Sequence, residues 1–386
     1  MRKMLLKNAF VHDGLGHVAK QDVLVEDGEI KQVADSLPGE GEDLTGCHLM
    51  PGFIDALSYW GINGSMTEIR PSSEDNDERS DPVTPELNVA YAFNGRACTV
   101  QQLPAFGITA VMVTPTDNNV FGGQMGVYTT HGVNPFKMCL KEKAGMKASV
   151  AKEVKAAYGK RGAAPLTRMK IFQLLSDNLR KAAEYDPSKE GVARDEKLAA
   201  LHQVTEGMMP LWITCDSAED RQRVMEIVAP YDKVRVVFTA AYGLDESDAE
   251  LPTGKAAMID GFTGMDCDPR AYGKRYDVLH KMLDKGIPVA LSGMSAGMYG
   301  RECLLWEGME MLKELEDKER VLRLMTSDAA KVLGVDDVTG SIVPGKRADL
   351  VIWSENPLAS FQAKVLRTLI AGETVYQEGD EMKCYI

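Results

Sequence analysis

Residues 51–61 read PGFIDALSYWG, a Pro-Gly turn followed directly by an apolar strand. Other apolar runs of strand length follow, each beside a segment with helical spacing of apolar residues: GITAVMVTP (107–115), MPLWITCD (209–216), DKVRVVFTAA (232–241) and KGIPVALSG (285–293). Alternating buried strands and amphipathic helices are typical of a parallel sheet. Residues 51–337 are long enough for a (β/α)8 barrel, which takes about 250 residues. We therefore predict an α/β fold built on a TIM barrel.

Both ends of the chain are predicted to be all-β. Residues 21–35, QDVLVEDGEIKQVAD, contain the Asp27-Gly28 pair, a strong hairpin signal. Short apolar strands and Gly-Pro turns recur between Gly340 and Glu378. We predict a small β-sandwich built from residues 1–50 and 338–386. A doubly wound sheet is the alternative to the barrel, but no predicted strand is followed by the glycine fingerprint of a dinucleotide fold.

Composition excludes several function classes. The 386 residues include 44 basic and 57 acidic side chains, a formal charge of −13. Nucleic acids and anionic membranes attract clustered Lys and Arg, so neither is an expected partner. The N-terminus has no apolar stretch of signal-peptide length, and no window approaches a membrane span. We expect a cytoplasmic protein.

Several motifs resemble those of the amidohydrolase superfamily, and more closely its imidazolonepropionase-related branch. The matching stretches are GEIKQVAD (28–35), LTGCHLMPGFIDA (44–56), DPVTPELN (81–88), NNVFGGQMG (118–126), TRMK (167–170) and KVLGVDDVTGSIVPGKRADLVIWSENPL (331–358). The resemblance implies hydrolysis of C–N bonds other than peptide bonds. It also implies one or two divalent metals, such as zinc, at the C-terminal ends of the barrel strands. The ligands would be His-x-His on strand one, a histidine each on strands five and six and an aspartate on strand eight, sometimes with a carboxylated bridging lysine.

This sequence departs from that ligand pattern at every expected position. The residues aligned with the four histidines and the aspartate are Leu57, Tyr59, Thr214, Ala240 and Met294. The six histidines lie elsewhere, and the nearest candidate for the bridging lysine is Lys147. Zinc lowers the pKa of bound water from about 15.7 to about 7, worth on the order of 12 kcal/mol of nucleophile activation. Because all five expected ligand positions hold other residues, we expect no metal cofactor and the loss of this activation.

Other residues were weighed as replacements for the metal site. Asp216 is the candidate catalytic residue, with Asp55 and Tyr59 as neighbours, although a structural hydrogen bond is the alternative for Asp55. Residues 293–297, GMSAG, match the G-x-S-x-G nucleophile motif, but no histidine follows Ser295, so a serine hydrolase is rejected.

A ligand pocket is predicted from two glycine-rich segments. The first is a polar loop near the barrel mouth, and the second is a turn whose backbone N–H groups could hold an anion, unless it is only a tight βα turn. The pocket residues are Asn119, Gly122, Gly123, Gln124, Ser292, Gly293 and Ser295.

The leading hypothesis is a metal-free, catalytically impaired homologue that binds a small molecule or a partner. One alternative is a hydrolase of a cyclic amide, or of another non-peptide C–N bond, with an unconventional site near Asp216. A second alternative is a structural subunit of an oligomer. A homo-oligomer is expected, because barrels of the resembled family commonly dimerise.

Overall fold

The described residues form two β-sheets and the helices that accompany them. The computed structural model describes residues 3–62, 75–189, 191–239, 256–260, 280, 282–293 and 302–380. Within these ranges the strands are β1 (Lys3–His12), β2 (Val18–Glu26), β3 (Glu29–Ala34), β4 (Glu42–Asp43), β5 (His48–Pro51), β6 (Phe53–Ser58), β7 (Ile108–Val113), β8 (Phe121–Thr129), β9 (Cys139–Ser149), β10 (Leu211–Thr214), β11 (Val236–Phe238), β12 (Ala256–Asp260), β13 (Val289–Leu291), β14 (Leu350–Trp353), β15 (Val365–Ile370) and β16 (Glu373–Gln377). The helices are α1 (Cys98–Gln101), α2 (Pro135–Met138), α3 (Lys152–Gly159), α4 (Arg168–Glu184), α5 (Glu196–Thr205), α6 (Ala218–Val228), α7 (Cys303–Leu315), α8 (Lys318–Leu324) and α9 (Ser327–Leu333), with 3-10 turns at Val89–Tyr91 and Leu103–Phe106.

The terminal sheet joins strands from both ends of the chain in the order β16-β15-β14-β5-β1-β2-β3, with β4 paired to β1. The hairpin predicted at Asp27-Gly28 is confirmed, because β2 and β3 pair antiparallel from Glu26 and Glu29 onward. Both turn residues have positive φ, 50° and 86°. That conformation suits the right-handed twist of a two-residue hairpin. The N-terminal part of the fold is therefore rich in β-structure.

The central sheet runs in the order β13-β12-β11-β10-β9-β8-β7-β6. The prediction of an all-parallel sheet was wrong at one place, because β8 pairs antiparallel with both β7 and β9. The connections before and after β8, residues 114–120 and 130–138, are shorter than the dozen or more residues that a parallel crossover needs. The remaining ladders are parallel. A mixed α/β fold results, and closure into a full eight-stranded barrel stays a prediction.

The turn that opens β6 packs tightly against the next strand. A Cβ atom added at Gly52 would lie 2.0 Å from Thr109 Oγ1. Glycine is needed here because the backbone approaches β7 more closely than any side chain permits. Every residue of β6 and β7 is buried, as expected for strands covered on both faces.

Within the part of the chain that the structure describes, no helix is both long and apolar enough to cross a bilayer.

Candidate functional site

A buried polar network lies at the C-terminal ends of β9, β10 and β11. Lys147 Nζ forms an ion pair with Asp117 Oδ1 at 2.5 Å and lies 2.7 Å from Thr214 Oγ1. The Thr214 hydroxyl lies 2.6 Å from the same Asp117 oxygen and 2.5 Å from Thr239 Oγ1. Lys147 is 1% exposed, and both threonines are buried. We call these four residues the strand-end network.

The hydrogen-bond roles in this network are mutually consistent. The Thr214 hydroxyl donates to Asp117, and its oxygen accepts from Lys147 and from Thr239. One donated and two accepted bonds is the full capacity of a hydroxyl group. A charged lysine is rarely buried unless it is paired, and the Asp117 carboxylate supplies that partner. The strand-end network is therefore a closed set of contacts around one ammonium group.

A second polar junction connects β6 with the residues that follow β13. The carboxylate of Asp55 accepts from Trp60 Nε1 at 3.0 Å and from the Gly293 backbone N–H at 3.2 Å. The Ser292 hydroxyl donates to the Leu57 carbonyl at 2.6 Å. Burial raises the pKa of Asp55 to about 6, although these hydrogen bonds oppose the shift. The first and last strands of the central sheet are held together by these side chains.

Asp216 caps the N-terminus of helix α3. Its Oδ2 atom accepts from the Lys152 backbone N–H at 2.6 Å, at the first residue of α3. The N-cap residue of that helix, Ala151, has no side chain able to do this. Asp216 itself is exposed, whereas the adjacent Cys215 is buried in the core. The described contacts of Asp216 are those of a helix cap supplied from outside the helix.

The predicted pocket residues around position 120 hold down residues 75–88. Asn119 Nδ2 donates to the Glu78 carbonyl at 2.6 Å and to Thr84 Oγ1, while its Oδ1 accepts from Tyr158 Oη at 2.6 Å. Gln124 Nε2 donates to the Pro85 carbonyl at 3.1 Å. The amide groups of both side chains thus contact protein. Their participation in a ligand pocket stays a prediction.

The same stretch also differs from its predicted conformation. Gly122, Gly123 and Gln124 were assigned to a polar loop, but they belong to β8, which is buried along its whole length. Short backbone bridges pair Val83 with Phe121 and Asn88 with Gln124. Glycines and a glutamine are poor strand formers, and the packed segment over them compensates for the weak propensity.

The donor atoms at the strand ends were tested against the needs of a divalent metal. Among the residues that the structure describes, no three His, Cys, Asp or Glu side chains are grouped to hold such an ion. The strand-end network offers one carboxylate, two hydroxyls and an ammonium, whereas zinc takes thiolate, imidazole and carboxylate ligands. Ala240, Met294 and Ser295 lie outside the described residues.

Comparisons with known proteins find similarity to amidohydrolases. The model of the amidohydrolase family matches residues 213–375. An amidohydrolase structure from Thermotoga maritima MSB8 superposes with a TM-score of 0.85 and 26% identity, covering 97% of this chain and 100% of that chain. The chain is therefore similar to amidohydrolases, by the family model over residues 213–375 and by fold along nearly its whole length.

Curated proteins similar to this chain include a deaminase and a hydantoinase. A 5-methylthioadenosine/S-adenosylhomocysteine deaminase of Caldicellulosiruptor saccharolyticus is 21% identical over 426 residues, 97% of this chain and 94% of the deaminase. A D-phenylhydantoinase of Escherichia coli is 37% identical over 65 residues, which is 16% of this chain and 14% of that enzyme.

The structure locates several positions that the superfamily pattern singles out. Leu57 is buried near the end of β6, and Thr214 is the last residue of β10. Lys147 lies on β9, the fourth strand of the central sheet and the neighbour of β10. The parallel register of β10 and β11 brings Thr239, one residue before Ala240, beside Thr214.

Sequence reasoning missed two members of the network, Asp117 and Thr239. A lysine within the otherwise apolar end of β9 was a usable signal, because a buried ammonium requires a carboxylate partner. The identity of that partner was not readable, since Asp117 lies 30 positions away in a connection between strands.

Proposed function

We propose that this protein is an amidohydrolase-superfamily member that lacks the divalent metal centre, does not carry out metal-assisted hydrolysis, and acts by binding a small molecule near the strand ends. The observation that carries the proposal is the buried Lys147 ammonium, fixed between Asp117 and Thr214. The imidazolonepropionase-related branch within the superfamily stays a prediction from the motifs.

Electrostatics supports the absence of a metal. A divalent ion about 4 Å from a fixed ammonium is repelled by about 8 kcal/mol at an effective dielectric constant of 20. Asp117 cannot offset this freely, because its Oδ1 atom already accepts from Lys147 and Thr214. The aligned positions Leu57 and Thr214 add a hydrocarbon and a neutral hydroxyl, neither of which is a usual zinc ligand.

The chemistry of the strand ends then differs from that of a metallohydrolase. Without a metal, no group of the strand-end network is set up to deprotonate water, because the Asp117 carboxylate is engaged by the ammonium and by a hydroxyl. The accessible member of the network is the Asp117 side chain, 23% exposed, whose position is fixed by the buried Lys147 and Thr214. This side chain can orient a polar small molecule without transforming it.

The hydrolytic alternative at Asp216 has less support. Its carboxylate caps α3 through Lys152 N, which accounts for its position. No described contact favours the structural-subunit alternative over ligand binding. Both alternatives remain distinguishable from the proposal by experiment.

A thermal-shift screen tests the binding proposal. Cyclic amides and small anions are added to the full chain, to Lys147→Met and to Lys155→Met, which removes an exposed lysine from α3. The proposal expects a ligand that raises the Tm of the wild type and of Lys155→Met but not of Lys147→Met. Equal shifts in all three proteins, or no shift with any compound, would contradict binding at the network.

A further inference from the structure

A groove lies between helix α7 and the terminal sheet, apart from the strand-end network. Its volume is about 350 Å³, within the range of small-molecule sites. Five of the fourteen lining residues are aromatic, among them Trp306 from α7, Phe361 from the loop before β15 and Tyr376 from β16. No member of the strand-end network lines it.

Two aromatic side chains of the groove are well exposed to solvent. Trp306 is 49% exposed and Phe361 is 89% exposed. Trp353, which also lines the groove, is 3% exposed, and its Nε1 atom is not accessible to solvent. The accessible aromatic surface of the groove therefore includes Trp306 and Phe361.

The charged residues that line the groove indicate which ligands it can bind. Glu302 and Glu378 line the groove, and the one lysine among the lining residues, Lys364, lies 3.5 Å from Glu378. That pair is exposed and therefore weak. Burial, followed by the charges of Glu378 and Asp380, raises the pKa of Tyr376. Carboxylates thus outnumber cations beside a set of aromatic rings.

We infer that this groove is a binding site for an organic ammonium compound. The faces of aromatic rings attract cations through their quadrupoles. Proteins commonly recognise quaternary ammonium groups with clusters of aromatic side chains. The carboxylates of Glu302 and Glu378 complement the positive charge.

The inference goes beyond the proposed function, because the groove and the strand-end network share no residue. A ligand screen at the strand ends can fail without affecting this site. The reverse also holds, since Lys147→Met leaves every groove residue in place.

Choline and its neutral isostere 3,3-dimethyl-1-butanol provide the test, by calorimetric titration of the full chain at constant ionic strength. The inference expects saturable choline binding that is at least about tenfold tighter than binding of the neutral alcohol. Trp306→Leu is expected to abolish binding, and Glu302→Gln to weaken it severalfold. Glu184→Gln, an exposed glutamate on α4, is the matched control and is expected to bind as the wild type does.

Three results would overturn the inference. Equal affinity for choline and the neutral alcohol would show that charge is not recognised. Absence of choline binding would remove the site altogether. A dimer that dissociates in the Phe361→Ser variant would show that a second copy of the chain covers the groove.

Discussion

Lys147 Nζ lies 2.5 Å from Asp117 Oδ1, and the two side chains differ in their access to solvent, 2% against 23%. Removing one partner of a buried pair leaves an uncompensated charge, and the penalty depends on which charge remains. Asp117→Asn leaves the ammonium buried, and we expect it to lower the free energy of unfolding by about 2–4 kcal/mol.

Lys147→Met is the matched comparison for this asymmetry. It leaves Asp117 with partial solvent access and a hydrogen bond from Thr214, so we expect a loss of about 1–2 kcal/mol. Urea unfolding of both variants measures the difference. An Asp117→Asn protein as stable as Lys147→Met would show that the ammonium is not dependent on this carboxylate.

Asp55 makes stability depend on pH in a defined window. Its folded pKa of about 6 lies above the ordinary 3.8, so the folded state binds the proton more tightly. Wild-type stability should therefore fall as pH rises from about 4 to about 6, by on the order of 3 kcal/mol in total. Asp55→Asn cannot titrate and lacks this slope, although it loses an acceptor for Trp60 or Gly293. A constant stability difference between the two proteins at pH 4, 5, 6 and 7 would refute the assignment.

Two neighbouring histidines, His12 and His48, give stability the opposite dependence on pH. His12 Nδ1 lies 2.7 Å from Glu319 Oε1, and His12 Nε2 lies 2.8 Å from His48 Nδ1. Burial, and then the neighbouring His12, lower the pKa of His48 from 6.5, while Glu319 and Glu355 oppose the shift.

The folded state thus resists protonation of His48, and stability should be lost as pH falls below 6.5 through the folded pKa. His48→Asn keeps a donor for His12 Nε2 but cannot titrate. Thermal unfolding between pH 7 and pH 5 should show the wild type losing stability relative to this variant. Parallel pH profiles for the two proteins would contradict the prediction.

Gly123 and Gly122 are predicted to differ sharply in their tolerance of a side chain. Gly123 has φ of 131°, and an added Cβ would lie 2.8 Å from the Leu87 carbonyl oxygen. Gly122 has no positive φ, and its nearest contact would be 3.3 Å. We expect Gly123→Ala to cost about 2–3 kcal/mol and Gly122→Ala less than about 1 kcal/mol. Denaturant unfolding measures both, and similar losses would mean that the packing of residues 82–88 on β8 is not the constraint.

The sequence predicted those parts of the fold that repeat a strong local pattern. Strands β6, β7, β10, β11 and β13 were predicted from their apolar runs, and the structure confirms each. Strands β8 and β9 were missed because Gly122, Gly123 and Lys147 interrupt the apolar pattern. Their burial depends on partners far along the chain, such as residues 82–88 and Asp117.

From the sequence, the candidate site could be predicted only as a set of positions where the expected metal ligands are replaced. Leu57 and Thr214 could be recognised as departures from the family pattern, and Lys147 as the lysine nearest to it. What those residues contact depends on strand register and on connections between strands, and local sequence encodes neither. The parallel register of β10 and β11 places Thr239 beside Thr214 for that reason.

The central claim is that the Lys147 network takes the place of a divalent metal centre. Its most direct test is elemental analysis of the full chain after incubation with zinc and exhaustive dialysis, with Lys147→Met measured alongside. The account predicts no stoichiometric metal in the wild-type protein. One equivalent of zinc retained by the wild type and lost in Lys147→Met would contradict it.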